Sequence, residues 1–171
     1  MIELEKTYLA KYLPKDLKEF KYVKDIYIPE TIAHPTLRIR KNGNNLEITK
    51  KTPLDNRDFS KQLEQTIPLD LEEYKTLEKI KGKIVEKIRY IYKYKKYIAE
   101  IDVFQKKLFG LVLVDFEFTT PSDLKEFKIP DFCLAEVTDE EFLAGGKLCG
   151  KSYKDIESKL KKYNYIKITN T

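Results

Sequence analysis

The sequence predicts an α+β fold that is mainly β: an eight-stranded antiparallel closed barrel, in effect a tunnel, with a few helices packed outside it. Three observations carry this. About eight segments alternate in hydropathy and lie within turn distance of one another, the pattern of antiparallel strands. Bulky β-prone residues are plentiful, with 12 Tyr and 9 Phe. Like charges also recur two residues apart around one apolar residue, in Glu3-Leu4-Glu5, Arg38-Ile39-Arg40, Lys87-Ile88-Arg89, Glu100-Ile101-Asp102 and Asp115-Phe116-Glu117. Positions i and i+2 share one face of a strand, so each pair sets two equal charges roughly 6–7 Å apart. A fold built only for solubility would not favour that repulsion, whereas a charged cavity for a charged ligand would use it. Eight strands can close around such a cavity.

The elements follow in order. Residues Ile2–Leu9 alternate as a strand, and Pro14 to Phe20 reads as a turn and short helix. Tyr22–Ile28 is strand-like and stops at Pro29. Thr36–Lys41 and Leu46–Lys51 form a hairpin around Asn42-Gly43-Asn44-Asn45. Lys61–Ile67 is a strand closed by Pro68. Asp70–Ile80 carries Leu71, Tyr74, Leu77 and Ile80 on one helical face, with Asp70 as N-cap and Gly82 as terminator. Ile84–Tyr94, Tyr97–Phe104 and Leu111–Thr119 are three long strands. Pro121-Ser122-Asp123 opens a short helix, Asp131–Val137 reads as a loop, and Thr138–Leu148 holds a small helix. Ile156, Leu160 and Tyr163 have helical spacing, which predicts a C-terminal helix over 152–163. With 171 residues and no linker or repeat, the whole chain, 1–171, is expected to be one domain.

Composition limits the function classes. Charged residues make up 36% of the chain, well above the usual quarter, so charge is expected inside as well as outside. The net charge of +5 is matched by the stretch from Lys147 onward, where seven Lys face Asp155 and Glu157. The rest is balanced, which argues against a nucleic-acid-binding surface and reads the tail as a solvated helix face. Cys133 and Cys149 lack the spacing of a zinc site, and two isolated cysteines suit a reduced, cytoplasmic protein. No signal peptide or membrane-spanning run is read, so no membrane partner is expected. His34, beside Pro35, is the only histidine and reads as a loop residue.

Two sets of side chains remain. Arg38, Arg40, Lys50, Lys87 and Arg89 all fall on predicted strands, and cations on one cavity wall suit a triphosphate. Glu3, Glu5, Glu100, Asp102, Asp115 and Glu117, with Glu64, form an acidic set. Hard oxygen donors of that kind hold Mg2+ or Mn2+, which bridges carboxylates and phosphates; salt bridging to the basic set is the other use of the same residues. The two sets together suggest metal-assisted phosphoryl chemistry without a P-loop, since no such glycine-rich motif is present.

In this order the pairs resemble the CYTH family, the triphosphate tunnel metalloenzymes, over nearly the whole chain. Glu3-Leu4-Glu5-Lys6-Thr7 resembles the family's ExExK strand, Leu37-Arg38-Ile39-Arg40 its LRxR strand, and Leu46-Glu47-Ile48-Thr49-Lys50 its LTxK strand. Lys87-Ile88-Arg89-Tyr90 matches KxRY, Asp102-Val103-Phe104 matches DxF, Asp115-Phe116-Glu117-Phe118 is similar to ExEF, and Glu136-Val137-Thr138 resembles EVT. The resemblance implies an eight-stranded tunnel that hydrolyses a triphosphate, inorganic triphosphate first, with Mg2+ or Mn2+. Arg38, Arg40, Lys50, Lys87 and Arg89 would bind phosphates; Glu3, Glu5, Glu64, Asp102, Asp115 and Glu117 would bind metal. Tyr27, in a strand similar to the family's QGYL, would position the attacking water, with Lys87 the second catalytic residue. The partner implied is a triphosphate-containing small molecule, and the chain a monomer or homodimer. One departure stands out: the last residue of ExExK is Thr7, while Lys6 should point the other way. Two further readings therefore stay open, a class IV type adenylyl cyclase and a non-catalytic tunnel that binds polyphosphate or nucleotide. Arg40→Ala is expected to weaken triphosphate binding and leave the fold intact.

Overall fold

The computed structural model describes residues 2–55 and 58–169, with the side chains of 2, 3 and 53–62 outside that description. It contains nine strands: β1 Ile2–Ala10, β2 Glu19–Ile28, β3 Leu37–Asn42, β4 Asn45–Asp55, β5 Asp58–Pro68, β6 Lys83–Tyr94, β7 Tyr97–Phe104, β8 Val112–Phe118 and β9 Cys133–Glu136. All pair antiparallel, in the order β5-β4-β3-β2-β6-β7-β8-β1-β9. β1 also pairs with β5 at Ile2↔Leu63, Glu3↔Gln62 and Leu4↔Lys61. β9, at Tyr8↔Glu136 and Leu9↔Ala135, pairs with the other end of β1.

Most predicted strands are present, generally a few residues longer. The stretch expected as a helix around Pro14 is not one: it is irregular until β2 begins at Glu19. Glu19 to Ile28 gain a ladder with β6 instead. The expected loop at Asp131–Val137 holds β9, whose four residues are too short to show an alternation.

The expectation that all helices pack outside is corrected: the first two pack on the outer core, and the last two join the apolar cluster of the concave side. α1, Leu71–Leu77, begins at a capping box in which the Asp70 side chain accepts from the Glu73 N–H and the Glu73 carboxylate accepts from the Asp70 N–H, both at 2.8 Å. It ends before the predicted Ile80. Gly82 is not its terminator but a point of close packing, since a Cβ there would lie 2.7 Å from the Tyr27 carbonyl. Tyr74 of α1 packs on Ile26 and Ile39. α2, Pro121–Glu126, is capped by Thr120. α3, Gly145–Leu148, and α4, Tyr153–Leu160, follow, the latter continued by one 3-10 turn to Tyr163. No helix among the described residues is long and apolar enough to cross a membrane.

The pleat sorts the residues. On β8, Val112, Val114, Phe116 and Phe118 join the outer core with Tyr8, Ala99 and Ile101, while Leu113, Asp115 and Glu117 point to the concave side. That concave side is itself divided. Leu9, Tyr27, Val85, Phe104 and Leu113 pack with Val137, Leu143 and Leu148 into an apolar floor. Two residues further along each strand the same face becomes polar at Thr7 and charged at Asp25, Lys87, Asp102 and Asp115.

Candidate functional site

The charged half surrounds a cavity of roughly 470 Å³, within the range of small-molecule sites. Ten of the twelve sequence-predicted site residues line it: Glu5, Tyr27, Arg38, Arg40, Glu64, Lys87, Arg89, Asp102, Asp115 and Glu117. The Glu3 side chain lies outside the described residues.

Lys50 is the one prediction that the structure overturns. It is exposed, and its neighbour Lys51 lines the cavity instead. The cause is hairpin register. Gly43, at φ 61°, takes the first of two loop positions, and Asn42 pairs with Asn45. Arg40 then faces Glu47 and Arg38 faces Thr49, so the inward series on β4 is Glu47, Thr49, Lys51. The two-residue turn was visible in the sequence, and counting outward from it gives the same result.

The basic wall is built from β2, β3 and β6. Asp25 on β2, 2% exposed, accepts from Arg40 through both oxygens, from Nε at 2.6 Å and Nη2 at 2.9 Å. Burial alone would raise its pKa, but Arg40 and then Arg38 outweigh that and hold it well below the usual carboxylate range. Arg38 donates through Nη1 to the Tyr27 hydroxyl at 3.1 Å, while its Nε is buried with no hydrogen-bond partner. On β6 and β7, Asp102 repeats the arrangement of Asp25. It is 1% exposed and accepts from Arg89 Nε and Nη2, both at 2.7 Å, and from Lys87 Nζ. Burial pushes Asp102 up, yet Arg89 and Lys87 bring it down to about 2. Burial and the neighbouring Arg89 pull the Lys87 ammonium below its ordinary value, against the attraction of Asp102. Asp102, expected among metal ligands, thus has both oxygens occupied by cations.

The acidic wall spans β1, β7 and β8. Register sets Glu5 directly opposite Glu117, and Asp115 opposite both Thr7 and Glu100. Like charges across a ladder destabilise it. The consequence is clearest at Asp115: burial, then the charges of Asp102 and Glu5, push its carboxyl up to about 7. Thr7 Oγ1 donates to Asp115 Oδ1 at 2.7 Å, and the Thr7 N–H donates to Thr138 Oγ1 at 3.1 Å. Lys6 faces away as expected and pairs with Glu136 at 3.2 Å. Lys51 bridges the walls, 3.6 Å from Glu5 and 3.3 Å from Glu64. Among the described residues, no three carboxylates are already gathered around one metal-sized point.

The raised Asp115 makes stability depend on pH. The folded state keeps this proton where the unfolded chain has released it, so stability falls as pH rises from about 4 through about 7. Asp25, Asp102 and Glu64 are lowered and act oppositely, losing their contribution as pH falls below the ordinary carboxylate range. Denaturant unfolding without divalent cations should therefore show greatest stability in weak acid. Asp115→Asn should flatten the decline between pH 5 and 8; an unchanged slope would remove Asp115 as its source.

Sequence reasoning missed three parts of the site. Asp25 shares the inward parity of Tyr27, so it had a signal, while Glu100 was read in the acidic set without a separate role. The second and third, the loop at His34–Thr36 and the segment Glu140–Gly146, line the cavity and carried none. Gly145 and Gly146 let them fit: a Cβ on Gly145 would lie 2.0 Å from the Tyr27 hydroxyl, and one on Gly146 would lie 2.3 Å from the Pro35 carbonyl.

An antiparallel sheet curved around facing cationic and carboxylate walls is the arrangement that the resemblance to the CYTH family implies. No family model and no curated protein matches the chain. Among solved structures it is similar to the inorganic triphosphatase NE1496, at 26% identity and TM-score 0.64 over 86% of this chain and 93% of that one. A second NE1496 structure gives 25% identity and TM-score 0.63 over 86% and 96%. A Bacillus halodurans protein provisionally called an adenylate cyclase shares the fold, at 16% identity and TM-score 0.54 over 99% and 93%. These likenesses bear out the resemblance to the CYTH family carried by the strand motifs.

Proposed function

We propose that the eight longer strands close into a tunnel through the β5–β1 contact, and that the tunnel hydrolyses a triphosphate, inorganic triphosphate first, with Mg2+ or Mn2+. The observation that carries this is the basic wall: Arg38, Arg40, Lys51, Lys87 and Arg89 all line one cavity, and Arg38 Nε is buried there without a partner. A phosphoryl oxygen supplies the acceptor that such a buried donor needs.

The donor chemistry fits a divalent metal. Five cations and ten carboxylates line the cavity, so a highly charged anion entering alone meets an excess of negative charge. Glu5, Asp115 and Glu117, adjacent across the β1–β8 ladder, would hold the metal, with Glu64 at the opposite wall. Bound there, Mg2+ or Mn2+ supplies charge neutralisation and Lewis acidity at the terminal phosphoryl group.

The protein's own groups do the rest. Triphosphate oxygens replace carboxylates as partners of Lys51 and Arg38. Lys87 and Arg89, fixed by Asp102, hold the developing charge. Tyr27 accepts from Arg38, so its own O–H is available to orient the attacking water, and Gly145 against it leaves space for little else. Water adds to the terminal phosphorus and its P–O bond to the leaving pyrophosphate breaks. Release of phosphate from triphosphate, ATP and thiamine triphosphate with Mg2+ and Mn2+, with cyclic AMP assayed alongside, tests this; no turnover of any substrate would sink the hydrolase reading.

Thr7 favours a second reading, a tunnel that binds triphosphate without hydrolysing it. Its hydroxyl faces the cavity beside Glu5 on the first strand and donates to Asp115 rather than contributing a cation. Thr7→Lys would place an ammonium beside Asp115 and Glu5, and hydrolysis should rise several-fold. If turnover instead stays at the wild-type level, Thr7 is not what limits the chemistry.

A further inference from the structure

The inference concerns Asp25 and rests on the triphosphate-site reading above. Three observations bear on it. Asp25 is buried at 2% exposure, yet it lies in the cavity wall between Tyr27 and the β3 arginines. It holds Arg40 edge-on, taking both Nε and Nη2. It stands 4.0 Å from Arg38 Nε, too far for a hydrogen bond, so that donor is left unpartnered.

We propose that Asp25 is a positioning and charge-setting residue of the triphosphate site, which fixes the face that Arg40 presents and leaves Arg38 Nε as the open donor. Two free guanidinium groups on adjacent inward positions of β3 would repel each other and sample several rotamers. One buried carboxylate between them removes both problems. It cancels one of the two charges, and it orients Arg40 so that the Nη1 hydrogens and the second Nη2 hydrogen are left for a ligand oxygen. Arg38, Arg40 and Asp25 together then present one net positive charge, and the ligand is not held so tightly that products stay. Asp25 touches no reacting atom; it acts through Arg40.

This makes Asp25 and a ligand phosphoryl group competitors for the same cation, which a purely structural ion pair would not be. In Asp25→Asn, Arg40 loses its counter-charge while the side-chain shape is kept. Melting temperatures of wild type and Asp25→Asn, with and without sodium tripolyphosphate and Mg2+, read this directly. The variant should melt several degrees lower when empty, and the gap should at least halve with saturating tripolyphosphate. Its KM should fall several-fold while kcat also falls, because Arg40 is drawn to the ligand but no longer fixed. A gap equal with and without ligand would make Asp25 a structural ion pair and overturn the inference. Absence of any tripolyphosphate stabilisation of the wild type would instead overturn the site reading beneath it.

A second measurement needs no variant. In side-chain NMR of the wild type, titration with tripolyphosphate and Mg2+ should shift the Arg38 Hε resonance strongly and leave Arg40 Hε near its carboxylate-bound position. Equal movement of both would show that Asp25 does not retain Arg40, and the inference would fail even if Asp25→Asn does not fold.

Discussion

Asp102→Ala will destabilise the empty protein by about 3–5 kcal/mol, the usual cost of removing one partner from a buried ion pair. The size follows from what Asp102 holds. Arg89 and Lys87 are each 8% exposed and converge on its two oxygens. Lys87 can escape the loss by releasing its proton, a change that its lowered pKa already favours. Arg89 cannot, because guanidinium stays charged throughout the accessible pH range. It retains Glu100, and Asp115 at 4.0 Å, which moderates the cost without removing it. For a chain of 171 residues the melting temperature should fall by roughly 6–20 °C. Calorimetry decides: a fall of less than about 2 °C would mean that water reaches these groups freely and that the wall is not a buried network. The same reasoning changes the expectation for Arg40→Ala. That substitution leaves the Asp25 carboxylate, at 2% exposure, with only the more distant Arg38, so a loss of stability is expected beside the loss of binding, and the variant would confuse the two.

How much was legible in the sequence can be judged from single residues. The strand pattern and its charged pairs were readable because pleat parity is local: two positions apart means one face, whatever the rest of the fold does. Arg38, Arg40, Lys87, Arg89, Asp102, Asp115 and Glu117 therefore all reach one cavity. Lys50 failed for the same reason that the others succeeded, because a one-residue error in register reverses the face. Asp102 shows a different limit. The sequence located it correctly, but its partners come from β6, fifteen and thirteen residues away in the chain, and only the ladder reveals that its oxygens belong to Lys87 and Arg89. Glu140 to Gly146 were not legible at all. They reach the site through tertiary packing of two glycines against Tyr27 and Pro35, which no periodicity encodes.

Arg38→Ala is the cleaner probe of the phosphate wall, and it should weaken triphosphate binding roughly 10- to 150-fold. That range corresponds to about 1.5–3 kcal/mol for a hydrogen bond between charged groups. Arg38 differs from Arg40 and Arg89 in how little the empty fold asks of it. Its Nε has no hydrogen-bond partner among the described residues, its Nη2 lies 3.7 Å from Glu64, and its Nη1 donates to the neutral Tyr27 hydroxyl. Truncation strands no charge without alternatives, since Asp25 keeps Arg40 and Glu64 keeps Lys51. The loss should therefore appear in titration calorimetry with triphosphate and Mg2+ while the melting temperature of the empty protein moves by only a few degrees. Lys50 and Lys51 complete the comparison, because adjacent lysines differ only in the face that they occupy. Lys51→Ala should weaken binding, and Lys50→Ala should leave it unchanged. If Lys50 mattered and Lys51 did not, the β3–β4 register would be wrong by one residue, and the inward placement of every β4 side chain would fall with it.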